Sequence, residues 1–141
     1  MQDAFQNASF IKRMMALFYD TLIIVAILFL ATFIALLINQ GESFNGSIWF
    51  VLYLLTWIGA YYIWSWYKGG QTVGMRAWQL KLISEGKQLT LIQAIMRYFG
   101  AIVGVWCFGL GLVWCLLDRD KQSLADRLAK CKMISLKRER A

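Results

Sequence analysis

Arg13, Asp20 and Arg97 stand inside or directly against long apolar runs, and with Asp126 of the tail they are the side chains with chemistry to offer. A carboxylate near the centre of an apolar segment costs roughly 2.5 to 3.5 kcal/mol on insertion scales, so it needs compensation. Such residues mark ion or proton pathways or buried ion-pair networks. Asp20 is the clearest case, because it alone breaks an otherwise uncharged stretch from Met14 to Asn39. Arg13 lies seven residues earlier, on the same helical face but ~10 Å away. That spacing predicts that the partner of Asp20 comes from another element. Two chemistries fit the four residues. In one, Asp20 alternately holds a proton and a small cation, with Arg13 or Arg97 competing for its oxygens. In the other, the charges form a fixed network that sets how helices and tail pack.

The chain has 141 residues, 60% of them hydrophobic, which is the composition of a membrane protein of one domain. It contains no His, which excludes Ser-His and Cys-His nucleophile pairs and His-based zinc sites. Cys107, Cys115 and Cys131 match neither a zinc cluster nor a redox pair and read as apolar fillers. No phosphate loop or paired catalytic carboxylates can be assembled, so the expectation is a protein that is not an enzyme, with no catalytic residue, metal or cofactor. The basic excess, 15 Lys and Arg against 8 Asp and Glu, lies at the ends of apolar runs. It speaks for membrane orientation and attraction to anionic headgroups, not for nucleic acid.

The elements that must position the four charges follow from the apolar runs. Residues 14–39 form one hydrophobic segment and residues 47–67 a second, flanked at both ends by Trp and Tyr. The turn between them lacks Lys and Arg, so the pair is expected to be a helical hairpin with its turn away from the cytoplasm. After Lys68 the pattern changes to Gly69-Gly70-Gln71-Thr72-Val73-Gly74 and then alternates through Trp78-Gln79-Leu80-Lys81-Leu82, which predicts a short interfacial strand. The glycines read as a C-cap and turn, or less simply as a ligand loop around Gly70, Thr72 and Gly74. Thr90 and Gln93 have capping-box spacing and predict a helix start there.

A third hydrophobic segment covers residues 90–117, with Trp106 and Trp114 as interface anchors. Both of its flanks are basic, with five basic residues against Glu85 from Lys68 to Arg97 and eight against four acidic residues from Asp118 onward. A broken hairpin turning near Gly109-Leu110-Gly111 keeps both flanks on one side; a single span is the alternative. In the tail, residues 118–141, Ser123 and Asp126 are spaced like the start of a short amphipathic helix. The fold expected is an all-α integral membrane protein with two transmembrane helices, a short interfacial segment, the third hydrophobic segment and the tail helix.

Four motifs in this order resemble the RDD family of bacterial membrane proteins: Arg13-x-x-Ala16-x-x-x-Asp20, Gly70-Gln71-Thr72-Val73-Gly74, Arg97, and Leu124-Ala125-Asp126-Arg127-Leu128-Ala129. The family is named for one arginine and two aspartates, which fall on Arg13, Asp20 and Asp126. The chain departs from the family pattern where the tail motif usually continues into Gly-Thr, having Lys130 and Cys131 instead. The resemblance implies a bacterial cytoplasmic (inner) membrane protein of mostly unassigned function, with transport proposed and cation/proton exchange reported for some members. The expected partners are the lipid bilayer, a monovalent cation and protons, and a homo-oligomer or partner membrane protein, since three hydrophobic segments cannot enclose a pathway alone. Both termini are expected in the cytoplasm. The competing expectation is a non-transporting accessory or scaffold subunit.

Overall fold

A computed structural model describes residues 5–85, 87–106 and 122–136, with single positions 113, 114, 117 and 119 between the last two. The first long helix, α1 (Phe10–Ile38), contains neither Gly nor Pro and is 29 residues long, so it extends about 43 Å. It ends in a Schellman turn: Gly41 N–H donates to the Leu36 carbonyl at 2.8 Å and Gln40 N–H to the Leu37 carbonyl at 3.4 Å, with Gln40 in the left-handed region. Helix α2 (Ile48–Gly69) returns antiparallel to α1 over 22 residues. Near the turn the Tyr53 hydroxyl donates to the Ala31 carbonyl at 3.1 Å.

The two helices bury little of themselves. On α1 the buried residues are Arg13, Ala16, Asp20 and Ala31, and on α2 Gly59 and Trp66. Side chains such as Phe29 and Trp49 are more than three-quarters exposed. Apolar surface on that scale is unsustainable in water and is the expected coat of helices facing lipid.

At the other end of the hairpin the chain is compactly folded. Gly70, at φ +64°, turns the chain after α2, and its N–H donates to the Trp66 carbonyl at 2.9 Å. Helix α3 (Val73–Ala77) follows, capped by Thr72, whose hydroxyl accepts from Met75 N–H at 3.2 Å. Strand β2 (Leu80–Ile83) then pairs antiparallel with β3 (Lys132–Leu136), which pairs on its other edge with β1 (Phe5–Asn7). The expected short strand is therefore present, but the expectation of an all-α chain is corrected, because β1 and β3 complete a three-stranded sheet in the order β1-β3-β2. Leu80, Leu82 and Met133 are buried there, in a small core shared with Ala8, Ala16, Trp66 and Met75.

Helix α4 (Leu91–Trp106) starts where Thr90 and Gln93 cap each other reciprocally, at 3.1 and 3.3 Å. It packs on α2 through Tyr98, whose ring covers Gly59 and whose hydroxyl donates to the Leu55 carbonyl at 2.8 Å. On its other side Gly100 admits Ala125 and Leu128 of the tail helix α5 (Leu124–Leu128). Residues 113, 114 and 117 are helical; the expected turn at Gly109-Leu110-Gly111 lies outside the described residues. Because β1, β2 and β3 share one sheet, the start of α1, the end of α2 and the tail all meet at one end of the hairpin.

The departure at Lys130 has a structural reading. Helix α5 ends in a second Schellman turn, with Lys130 N–H donating to the Arg127 carbonyl at 3.2 Å and Cys131 N–H to the Asp126 carbonyl at 3.0 Å. Lys130 carries the left-handed backbone of that turn, at φ +51°. Glycine adopts this conformation without the steric cost a Cβ brings. Lys130→Gly is expected to stabilise the protein by about 1 kcal/mol, read from its unfolding midpoint in detergent.

Candidate functional site

The four charged residues resolve into two separate constellations. Asp126 is fully buried and takes four hydrogen bonds. Its Oδ2 accepts from Arg13 Nη1 at 2.7 Å and from Ser123 N–H at 3.2 Å; its Oδ1 accepts from Arg97 Nε at 3.0 Å and Arg97 Nη2 at 2.8 Å. Ser123 Oγ accepts from Asp126 N–H in return, at 3.2 Å, completing the capping box expected from the spacing. Four donors fill the acceptor capacity of one carboxylate.

Arg13 comes from the first turn of α1, Arg97 from the second turn of α4, and Asp126 from the tail, so one side chain ties three elements together. Arg97 also lies over the Trp66 ring, 4.4 Å from its centroid, which adds a cation–π contact from α2. Burial alone would raise the Asp126 carboxyl, but the Arg97 and Arg13 guanidiniums beside it hold it below the ordinary carboxylate value. Cys131 lies next to this knot. Burial pushes its thiol up to about 11, against the pull of Arg97, so it is protonated at neutral pH and reads as packing, not as a nucleophile.

Asp20 is also buried, 2% exposed, but neither Arg13 nor Arg97 pairs with it. Its Oδ1 accepts from the Tyr61 hydroxyl at 2.8 Å and from Gly74 N–H at 2.9 Å, and its Oδ2 from the Thr72 hydroxyl at 2.5 Å. Partners from other elements are what the seven-residue offset from Arg13 predicts. The expectation that those partners are cationic is corrected: Arg13 and Arg97 are both committed to Asp126, and Asp20 is held by neutral donors among the described residues. The physical reason is reach. Arg13 and Asp20 are two helical turns apart on α1, whereas the tail brings Asp126 to within one guanidinium length of both arginines.

The glycine motif divides in the same way. Gly70 is a helix cap, as the turn reading holds. Gly74 serves close packing: a Cβ there would lie 2.2 Å from the Ala16 carbonyl oxygen and 2.9 Å from Asp20 Cγ. Ala16 and Gly74 together let α3 lie on the backbone of α1 and deliver the Gly74 N–H to Asp20. Two contributors were not singled out from sequence, Tyr61 and Trp66. Tyr61 offers no local signal beyond its place in an aromatic cluster, and Trp66 is one of several Trp and Tyr at the end of the second apolar run.

Two long apolar helices with most of their surface unburied, gathered at one end by a buried arginine–aspartate knot and a small sheet, define a small helical-hairpin membrane protein. The RDD family is matched over residues 7–130, most of the chain, and this protein belongs to that family. No curated protein and no solved structure matched the chain.

Proposed function

We propose that the protein is a non-enzymatic module of the bacterial cytoplasmic membrane that exchanges a small monovalent cation for protons at Asp20, with the Arg13–Asp126–Arg97 knot as its fixed fastener. The observation that carries this reading is the different compensation of the two buried carboxylates. Asp126 is saturated by two guanidiniums and a backbone N–H. Asp20 has three neutral hydrogen bonds, leaving acceptor capacity on Oδ2 and no cation in contact among the described residues. A buried carboxylate without fixed countercharge is the group on which a proton or a cation can be exchanged. The arginines take no part in displacing the cation, because Asp126 occupies them.

The sheet supports an even number of crossings with both termini on one side, and that side is the basic one. No Lys or Arg occurs from Met14 to Tyr67, so the far turn carries Glu42 alone. A hairpin with one further re-entrant segment cannot enclose a path, so the reading requires a homo-oligomer.

A second reading is favoured by one observation. All three donors to Asp20 also fasten α3 and the end of α2 to α1, so Asp20 has a sufficient structural role in a non-transporting accessory subunit. Asp20→Asn separates the two. The amide is isosteric, its oxygen can keep the Tyr61 and Gly74 donors, and its NH2 can donate to Thr72 Oγ. The variant is expected to chromatograph as the wild type in detergent and to lose dissipation of an imposed pH gradient in proteoliposomes on adding sodium or potassium. Wild-type vesicles inert to every cation tried would reject exchange and leave the accessory role.

A further inference from the structure

Two buried side chains beside the Asp126 knot carry N–H groups with no hydrogen-bond partner among the described residues, Arg13 Nε and Trp66 Nε1. Arg13 is 3% exposed and Trp66 4%, so bulk water does not serve them. A buried donor left unpaired is costly, more so on a charged group, and native interiors rarely tolerate one. Both side chains touch the same ion pair. Arg13 gives Nη1 to Asp126 Oδ2 at 2.7 Å, and the Arg97 guanidinium lies over the Trp66 ring, 4.4 Å from its centroid. The charges of the knot do not cancel, since two buried guanidiniums share one carboxylate. Asp20, the other buried acid among the described residues, is two helical turns from Arg13 and is held by its own three donors.

We infer that the knot is a binding site for one small monovalent anion of halide size, taken up by Arg13 Nε–H and Trp66 Nε1–H against the net positive charge of the two guanidiniums. The chemistry of the donors selects this occupant. Arg and Trp side chains donate and cannot accept, and the carboxylate beside them is already filled by four donors. A water joining the two N–H groups would bring two hydrogens of its own into a cluster whose carboxylate takes no more. A halide accepts from both, donates nothing and offsets the excess charge where the low dielectric makes that charge most costly. The burial of both side chains sets the size, because a phosphate or sulfate needs more donors and more room than this interior gives. The site stands apart from Asp20 and from any exchange there.

The test takes the full chain in neutral detergent and replaces sodium gluconate stepwise by sodium chloride, at constant sodium and ionic strength. The unfolding midpoint is expected to rise with chloride and to saturate, since an anion that binds the folded state stabilises it by mass action. Trp66→Phe keeps a ring under Arg97 and removes the N–H, so its half-saturating chloride concentration should rise about tenfold. Equal midpoints in chloride and gluconate, a rise that does not saturate, or a Trp66→Phe variant that titrates as the wild type would overturn the anion site. If that variant does not fold, the wild type decides through the chlorine-35 resonance of added chloride. Excess linewidth relieved by bromide but not by sulfate at the same ionic strength supports the site; no excess, or equal relief by both, overturns it.

Discussion

Asp126→Asn is expected to destabilise the protein by about 3 to 5 kcal/mol, the usual consequence of removing one partner from a fully buried ion pair. Two guanidiniums lie against this carboxylate, and neither has a second acidic partner among the described residues. The amide would leave both positive charges in a pocket where Arg13 is 3% and Arg97 7% exposed. It would also replace an acceptor that takes four donors by a group that accepts on one side only. Ser123 N–H and the α5 capping box would be lost with it. Release of the tail should accompany the loss, visible as rapid proteolysis at Arg127 and Lys130 under conditions where the wild type resists.

The pH dependence follows from the same contact. The folded-state carboxyl is held below its ordinary value, so its contribution is fully present above the unfolded value of ~3.9 and is lost as pH falls through the lower folded value. The stability difference between wild type and Asp126→Asn should therefore stay level from neutral pH down to about pH 4 and close only below that.

Gly74→Ala should cost about 3 kcal/mol, the upper part of the usual range for overpacking, because the atoms a methyl would meet cannot step aside. The nearest is the Ala16 carbonyl oxygen, at 2.2 Å from an ideal Cβ, and it belongs to the hydrogen-bonded backbone of α1. The next is Asp20 Cγ at 2.9 Å, itself held by Tyr61 and Thr72. Relief requires α3 to lift from α1, which breaks the Gly74 N–H bond to Asp20. Gly69→Ala is the matched control. Gly69 is helical, has open space around it and a Cβ there meets nothing within 4 Å, so that variant should be neutral or slightly stabilising. Comparable unfolding midpoints for the two variants would contradict the close packing of α3 on α1.

Where local signals decide the structure, the residues announce it. The uncharged runs gave α1 and α2, alternation through Leu80-Lys81-Leu82 gave β2, and the pairs Thr90/Gln93 and Ser123/Asp126 gave two helix starts, because caps are local hydrogen bonds between residues three apart. The other two strands were not legible. β1 and β3 are three and five residues long and exist through pairing with partners about fifty or more residues away, which no local pattern encodes. The candidate site was legible in its members but not in its pairing. Arg13, Asp20, Arg97 and Asp126 stand out by type and setting, whereas the choice of Asp126 over Asp20 as partner to both arginines depends on where the tail returns. The second role of Gly74 was hidden for a similar reason. Its neighbour across the contact is the backbone of Ala16, and a glycine beside a helix end reads first as a turn.

Separate placement of the two aspartates is tested most directly by double-mutant cycles on unfolding free energy, pairing Arg13→Met once with Asp126→Asn and once with Asp20→Asn. A coupling of about 2 kcal/mol or more is expected for Arg13 with Asp126, and less than about 0.5 kcal/mol for Arg13 with Asp20. Strong coupling of Arg13 to Asp20, with little to Asp126, would contradict the arrangement of charges described here.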